Sequence, residues 1–329
     1  MNGSKDLLSL TDLSKNDMLE LFELTHSLKN NKNNDDAHAS VLRGKTLGMI
    51  FEKPSTRTSI SFAAGMNQLG GLPLILSAQD LQLRRGESMT DTARVLSRYV
   101  DIIMIRANRH QSLVDFARSA GVPVINGLTE REHPCQILGD CFTIIEKKLL
   151  HHIPQTRKNE WFNNISFDTL SLTYIGDGNN IANSLVVAAA RLGFTCTISC
   201  PEGYEPDSSL WQWAQEHKVS EKNPISIIRE PQTAVKGADI IYTDVWTSMG
   251  REKEKDERRK VFLSYQVNDA LVGKAKSDAI VMHCLPAHRG EEITDSVLDG
   301  SHSAAFEQAE NRLHIQKAII LKLLKVDVL

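Results

Sequence analysis

Short apolar runs rich in β-branched residues alternate with helix-length patterns twice along this chain, and that alternation restricts its fold more than any other feature. The first series is Thr46 to Phe51, Leu72 to Leu76, Val100 to Arg106 and Val122 to Asn126, followed by a helical pattern from Ile137 to Leu149. After a polar stretch, His151 to Asp168, a second series runs through Leu170 to Gly176, Phe194 to Cys200, Ile225 to Arg229, Ala238 to Val245 and Ala279 to Leu285. Strands separated by helices predict parallel sheets covered by helices, the α/β class. At 329 residues the chain exceeds one core of usual size, which predicts two domains, 1–150 and 151–308. Each is expected to be a parallel β-sheet flanked by helices. Residues 309–329 are the remainder, and Glu310 to Leu324 reads as an amphipathic helix packing back on the first domain. Before the first strand, Met18, Leu21, Phe22, Leu24 and Leu28 fall at helical spacing behind Ser14 as N-cap.

The totals exclude several functions. A formal charge of -3 gives no global attraction to nucleic acid or to an anionic membrane, so any anion site must be local. Five cysteines at irregular spacings, with no CxxC pair, suggest neither a disulfide framework nor a structural zinc site. Charged residues among the N-terminal leucines argue against a signal peptide, and no apolar run has membrane-spanning length. A reducing, cytoplasmic address is the expectation. The mixed-charge block Arg251 to Lys260 reads as a solvated helix or loop face without a catalytic role.

Ser55-Thr56-Arg57-Thr58 follows the first strand directly and precedes a helix expected over Ser59 to Leu69. Hydroxyls at a helix N-terminus, where unpaired N–H groups and the positive end of the dipole meet, suit a phosphate. Arg57 adds a fork able to hold two oxygens at once. Taken alone, the tetrapeptide is equally an ordinary N-cap beside a surface arginine. Further polar signatures sit at strand ends, where open α/β sheets place ligands: Arg106, then His133-Pro134-Cys135-Gln136, then His283-Cys284-Leu285-Pro286. Cations for a dianion beside donors for a neighbouring carbonyl describe a site for an acyl or carbamoyl phosphate.

These segments, with Asp244-Val245-Trp246-Thr247-Ser248-Met249-Gly250, resemble the ornithine carbamoyltransferases, and the resemblance extends through Asp91 to Tyr99 and Ala309 to Arg312. It implies that residues 1–150 bind carbamoyl phosphate and residues 151–308 bind ornithine. Ser55, Thr56, Arg57 and Thr58 would hold the phosphate, Arg106 would bridge phosphate and carbonyl, and His133 and Gln136 would hold the carbamoyl group. Gln82 resembles a residue that reaches a neighbouring subunit's site, implying a homotrimer. Asn180, Asp244, Ser248 and Met249 match ornithine contacts, and Cys284, Leu285 and Arg312 would close around the transferred group. Arg57, Arg106, His133 and Cys284 are the expected catalytic set. No metal or organic cofactor is implied. Ser59 stands where the family pattern usually has a second arginine, which bears on loop rigidity or subunit packing more than on phosphate contact.

The chemistry of the residues agrees with that assignment. A side-chain amine has an unperturbed pKa of about 10.4 and must lose a proton before it attacks. Asp244 suits an α-ammonium, and an ordinary sheet puts Cys284 opposite it. A good leaving group makes a covalent cysteine intermediate unnecessary. Other readings remain at this level. Gly176-Asp177-Gly178-Asn179-Asn180-Ile181 follows a strand and opens a helix as the dinucleotide fingerprint of an NAD-dependent oxidoreductase would, but Ile181 takes the third glycine's place and Thr195 to Cys200 ends without an acidic residue. A non-catalytic sensor would not need Arg57, His133 and Cys284 together. An aspartate acceptor would call for basic groups, whereas N-acylornithine or putrescine shares the distal amine.

Overall fold

The computed structural model describes residues 5–30, 38–77, 86–150, 165–247 and 252–328. The chain divides into two compact units, Met1–Phe142 with Glu310–Leu329, and Thr143–Ala309.

In the first unit α1 (Lys15–Asn30) starts where Ser14 and Asp17 satisfy each other's backbone N–H groups, at 2.9 and 3.1 Å. There follow β1 (Thr46–Phe51), α2 (Thr56–Gln68), β2 (Leu72–Ser77), α3 (Met89–Leu96), β3 (Ile102–Arg106), α4 (His110–Ser119), β4 (Val124–Leu128) and α5 (Pro134–Ile144). The strands form a parallel sheet in the order β2-β1-β3-β4. Ile50, Ile103 and Ile105 of the sheet are buried in one core cluster with Leu113 and Phe116 of α4. From β1 the chain steps to β2 on one side and later to β3 on the other, so the order reverses between β1 and β3. A crevice at such a reversal is where parallel sheets take ligands. The β3–β4 register slips after Ile105, setting Arg106 opposite Leu128. An irregularity at a strand end re-aims the side chain it carries.

The second unit contains β5 (Ser171–Ile175), α6 (Asn180–Leu192), β6 (Thr195–Ser199), α7 (Ser208–His217), β7 (Ile225–Ile227), β8 (Ile240–Thr243), α8 (Lys255–Phe262) and β9 (Ile280–His283). Its parallel order is β7-β6-β5-β8-β9, reversing between β5 and β8. Ile175, Thr243 and His283 lie in one row across three strands, so Gly176, Asp244 and Cys284 leave the sheet at the same level. The last helix, α9 (Ala305–Leu324), counts with the first unit from Glu310 onward.

Both units are parallel α/β sheets flanked by helices, as the alternation predicts. Element ends differ for local reasons. The helix expected from Ser59 begins at Thr56, with Ser55 as its cap, so the hydroxyl-rich tetrapeptide is the first turn itself. The pattern over Ile137 to Leu149 starts earlier, with Pro134 in the first helical position, and passes into a π turn at Ile145–Leu149. Gly176, Cys200, Val245 and Leu285 leave the ladders to form loops. The polar stretch 151–164 lies outside the described residues.

Candidate active site

A candidate anion half-site grows from the carboxyl ends of β1 and β3. Ser55 has extended backbone angles and accepts the Thr58 N–H at 3.3 Å, which fixes the start of α2. Thr58 is buried, whereas Thr56 and Arg57 are exposed. Arg106, 6% exposed, donates from Nη1 to Ser55 Oγ at 3.3 Å and to Thr58 Oγ1 at 3.5 Å. Arg312 donates from Nη2 to the same Thr58 hydroxyl at 3.2 Å and from Nη1 to Gln136 Oε1. One buried threonine thus receives two guanidinium groups from positions far apart in sequence.

His133 comes just before α5. Burial holds its pKa well below the ordinary histidine value, and the charges of Arg312, Arg106 and Arg57 push it further down. The imidazole is therefore neutral at physiological pH and offers one donor. Next to it the Cys135 thiol is pushed up to about 12 by burial, which makes it an inert packing group. Gln136 Nε2 donates to Asp140 Oδ1 at 2.8 Å, one turn along α5.

A second half-site lies at the aligned ends of β5, β8 and β9. Asp244 Oδ1 accepts the Val245 N–H at 2.8 Å and the Cys284 thiol at 3.0 Å, while Oδ2 accepts Asn179 Nδ2 at 2.7 Å. Asn179 also caps α6 through its Oδ1, bonded to the N–H groups of Ile181 and Ala182 at 2.9 and 3.3 Å. The loop before it needs glycine at Gly178, where a Cβ would lie 2.2 Å from the Glu205 carbonyl carbon. Of the expected ornithine contacts, Asp244 is at the centre of this group and Asn180 is the first residue of α6, but the bond to Asp244 comes from its neighbour Asn179. Gln82, Ser248, Met249 and Gly250 lie outside the described residues.

His283 supports Cys284 from below. Its Nδ1 accepts the Leu285 N–H at 2.9 Å, so the ring proton sits on Nε2, 3.0 Å from Glu292 Oε1. Both side chains are fully buried. Leu285 is held at φ 57, a conformation that branched residues adopt only under surrounding constraint, and its bond to Pro286 is cis. Donor atoms of Asp244, His283 and Cys284 lie within 4.8 Å of one another, as a metal would require. However, His283 commits both ring nitrogens to Leu285 and Glu292, which fits a hydrogen-bonded scaffold better than a set of ligands.

The charged block Arg251 to Lys260 is the solvated face expected of it from Lys253 to Glu257 and at Arg259 and Lys260, with one exception. Arg258, 2% exposed, reaches inward from α8 to Asp177 Oδ2 and the Trp246 carbonyl, each at 2.8 Å, and to Glu254 Oε2 at 2.9 Å. It thereby ties the loop after β5 to the loop after β8, the two segments that carry Asn179 and Asp244. Sequence reasoning misses Asn179, Asp140, Glu292 and Arg258. Asn179 is detectable as an N-cap and Asp140 by its four-residue spacing from Gln136. Nothing in a mixed-charge block marks which arginine turns inward.

The fold and its polar clusters define a two-domain α/β protein, with an arginine- and hydroxyl-lined cluster suited to an anion in one unit and a carboxylate–thiol cluster suited to a cation in the other. Residues 5–146 match the family described as aspartate/ornithine carbamoyltransferase, carbamoyl-P binding domain, and residues 168–323 match its Asp/Orn binding domain. The chain is 54% identical over 317 residues to an ornithine carbamoyltransferase of Syntrophus aciditrophicus, covering 96% of this chain and 98% of that protein. Among solved structures, the ornithine carbamoyltransferase of Pyrococcus furiosus superposes with a TM-score of 0.86 at 48% identity, covering 96% of each chain. The anabolic ornithine carbamoyltransferase of Campylobacter jejuni gives 0.86 at 39% identity, covering 97% of this chain and 99% of that one. The chain belongs to the aspartate/ornithine carbamoyltransferase family.

Proposed function

We propose that this protein transfers the carbamoyl group of carbamoyl phosphate to the side-chain amine of L-ornithine, giving L-citrulline and phosphate. The observation that carries the reading is the hydrogen-bonded series Ser55, Thr58, Arg106, Arg312 and Gln136, all but Ser55 buried, beside a neutral His133. Hydroxyls and N–H groups at the start of α2, with Arg57 and Arg106, neutralise a phosphate dianion. Arg106 and the His133 N–H then face the carbonyl oxygen, where negative charge develops as the amine attacks. A neutral imidazole can donate there without trapping the oxyanion as an ion pair.

In the second unit the Asp244 carboxylate takes the ornithine α-ammonium, which orients the distal amine as the nucleophile. That amine attacks as the free base. The tetrahedral intermediate expels phosphate, breaking the C–O bond, and the proton lost from the new C–N nitrogen leaves on phosphate. Cys284 donates to Asp244 and acts on the charge that meets the substrate, with no bond to carbon required. The direct test is a colorimetric assay for ureido product, using carbamoyl phosphate against ornithine, acetylornithine, putrescine and aspartate. Turnover is expected with ornithine well above the rest, and a preference for another amine would replace the assignment of the second half-site.

The proposal extends to a homotrimer in the cytoplasm, with Gln82 supplied to a neighbouring site. Ile60, Leu72, Ile75 and Tyr99 support association, being 62, 55, 58 and 73% exposed in the first unit. Light scattering should give three times the chain mass, and a monomer would remove this part. Among the described residues no helix is long and apolar enough to cross a membrane.

A further inference from the structure

The two ends of a glutamine amide have nearly the same shape, yet one accepts hydrogen bonds and the other donates them. Which end faces a ligand therefore decides what the residue recognises. Gln136 is buried and its amide is held from both sides. Arg312, which can only donate, points Nη1 at Oε1, and the Asp140 carboxylate, which can only accept, takes a hydrogen from Nε2 at 2.8 Å. Asp140 is itself fully buried, four residues beyond Gln136 on α5, so the helix sets the spacing of the pair. Turning the amide over would place its NH2 against a guanidinium and its oxygen against a carboxylate, so the orientation is fixed.

We infer that Asp140 is a positioning residue that makes the anion half-site select a carbamoyl group over an acetyl group. The inference rests on the assignment of carbamoyl phosphate to this half-site. A carbamoyl group and an acetyl group have the same outline, but the first ends in NH2 and the second in CH3. With its amide locked, Gln136 offers the second lone pair of Oε1, an acceptor that the carbamoyl amine satisfies and a methyl group cannot. Arg57, Arg106 and the start of α2 hold the phosphate whichever group is attached. A site built to hydrogen-bond one group rejects the analogue lacking it, because a buried polar atom is left unpaired. Asp140 reaches the substrate only through Gln136, and its effect should appear in the choice between ligands more than in grip on phosphate.

The test uses two hydrolysis-resistant probes that differ only at this position, phosphonoacetamide with NH2 and acetonylphosphonate with CH3, and inorganic phosphate as reference. Calorimetry on the full chain should show phosphonoacetamide binding about 10- to 100-fold more tightly than acetonylphosphonate, the scale of one buried hydrogen bond. In Asp140→Leu, which fills the same space without an acceptor, that ratio should fall to about 3-fold or less while the phosphate Kd moves less than about 2-fold. Asp140→Asn should restore most of the ratio, because its carbonyl oxygen can still accept from Gln136. If Asp140→Leu does not fold, Asp140→Ser, whose hydroxyl is too short to reach Nε2, carries the same expectation. A ratio unchanged in the folded variant, or one that falls only in step with phosphate affinity, would overturn the role of Asp140 and leave the proposed function standing. Failure of phosphonoacetamide to bind the unaltered protein would instead remove the assignment of the half-site, and this inference with it.

Discussion

Replacing Arg106 with methionine is expected to lower kcat/KM for carbamoyl phosphate by about 10³- to 10⁴-fold, the largest effect of any single change in the first unit. Methionine fills much of the same volume, so the fold should persist. What disappears is a buried guanidinium that bonds Ser55 and Thr58 and that, in the proposed mechanism, would serve both the phosphate and the carbonyl oxygen. Each charge-assisted contact in a dry site is worth about 1.5–3 kcal/mol, and two lost together reach the stated range. The substitution also removes one of the charges that keep His133 neutral, so the histidine should titrate closer to its ordinary value. Steady-state kinetics with calorimetry of phosphonoacetamide would measure both parts. A loss smaller than about 10-fold would mean that Arg106 is structural and that the dianion sits elsewhere.

The corresponding change in the second unit is Asp244→Asn, expected to raise the KM for ornithine by about 10²- to 10³-fold while carbamoyl phosphate affinity changes less than about 2-fold. Asp244 accepts from Val245 N–H, Asn179 Nδ2 and the Cys284 thiol, so donors meet both of its oxygens. An asparagine there must turn its own NH2 toward one of them, and it also loses the charge that balances an α-ammonium. Inverted behaviour, with carbamoyl phosphate weakened and ornithine unaffected, would mean the half-sites are reversed.

Much of this is legible in the chain. Ser55 to Thr58 mark a helix start by themselves, but their reading as an anion site rests on Arg106 and His133 as well, because the tetrapeptide alone is equally an ordinary N-cap beside a surface arginine. Arg106, His133 and Cys284 are recognisable as strand-end or helix-start residues because the apolar runs that precede them are unambiguous. The sequence can mark Asn179 as a helix cap, but only the structure shows that this same side chain also turns to Asp244. Arg258 is hidden for a related reason. Charge patterning reports the average of a segment, and the one inward side chain depends on where α8 lies against the loops after β5 and β8.

The sequence alone determined the parallel α/β class and the two successive sheets, and it singled out the strand-end and helix-start residues proposed for each half-site, because hydrophobic period and turn chemistry are local and survive without knowledge of neighbours. Tertiary structure decided what is non-local: the reversals of strand order in each sheet, the register that levels Asp244 with Cys284, and the meeting of Arg312 with Thr58 from opposite ends of the chain. Those depend on which distant segments pack together, and packing is settled by the burial of the whole core, a quantity that no single stretch of residues contains.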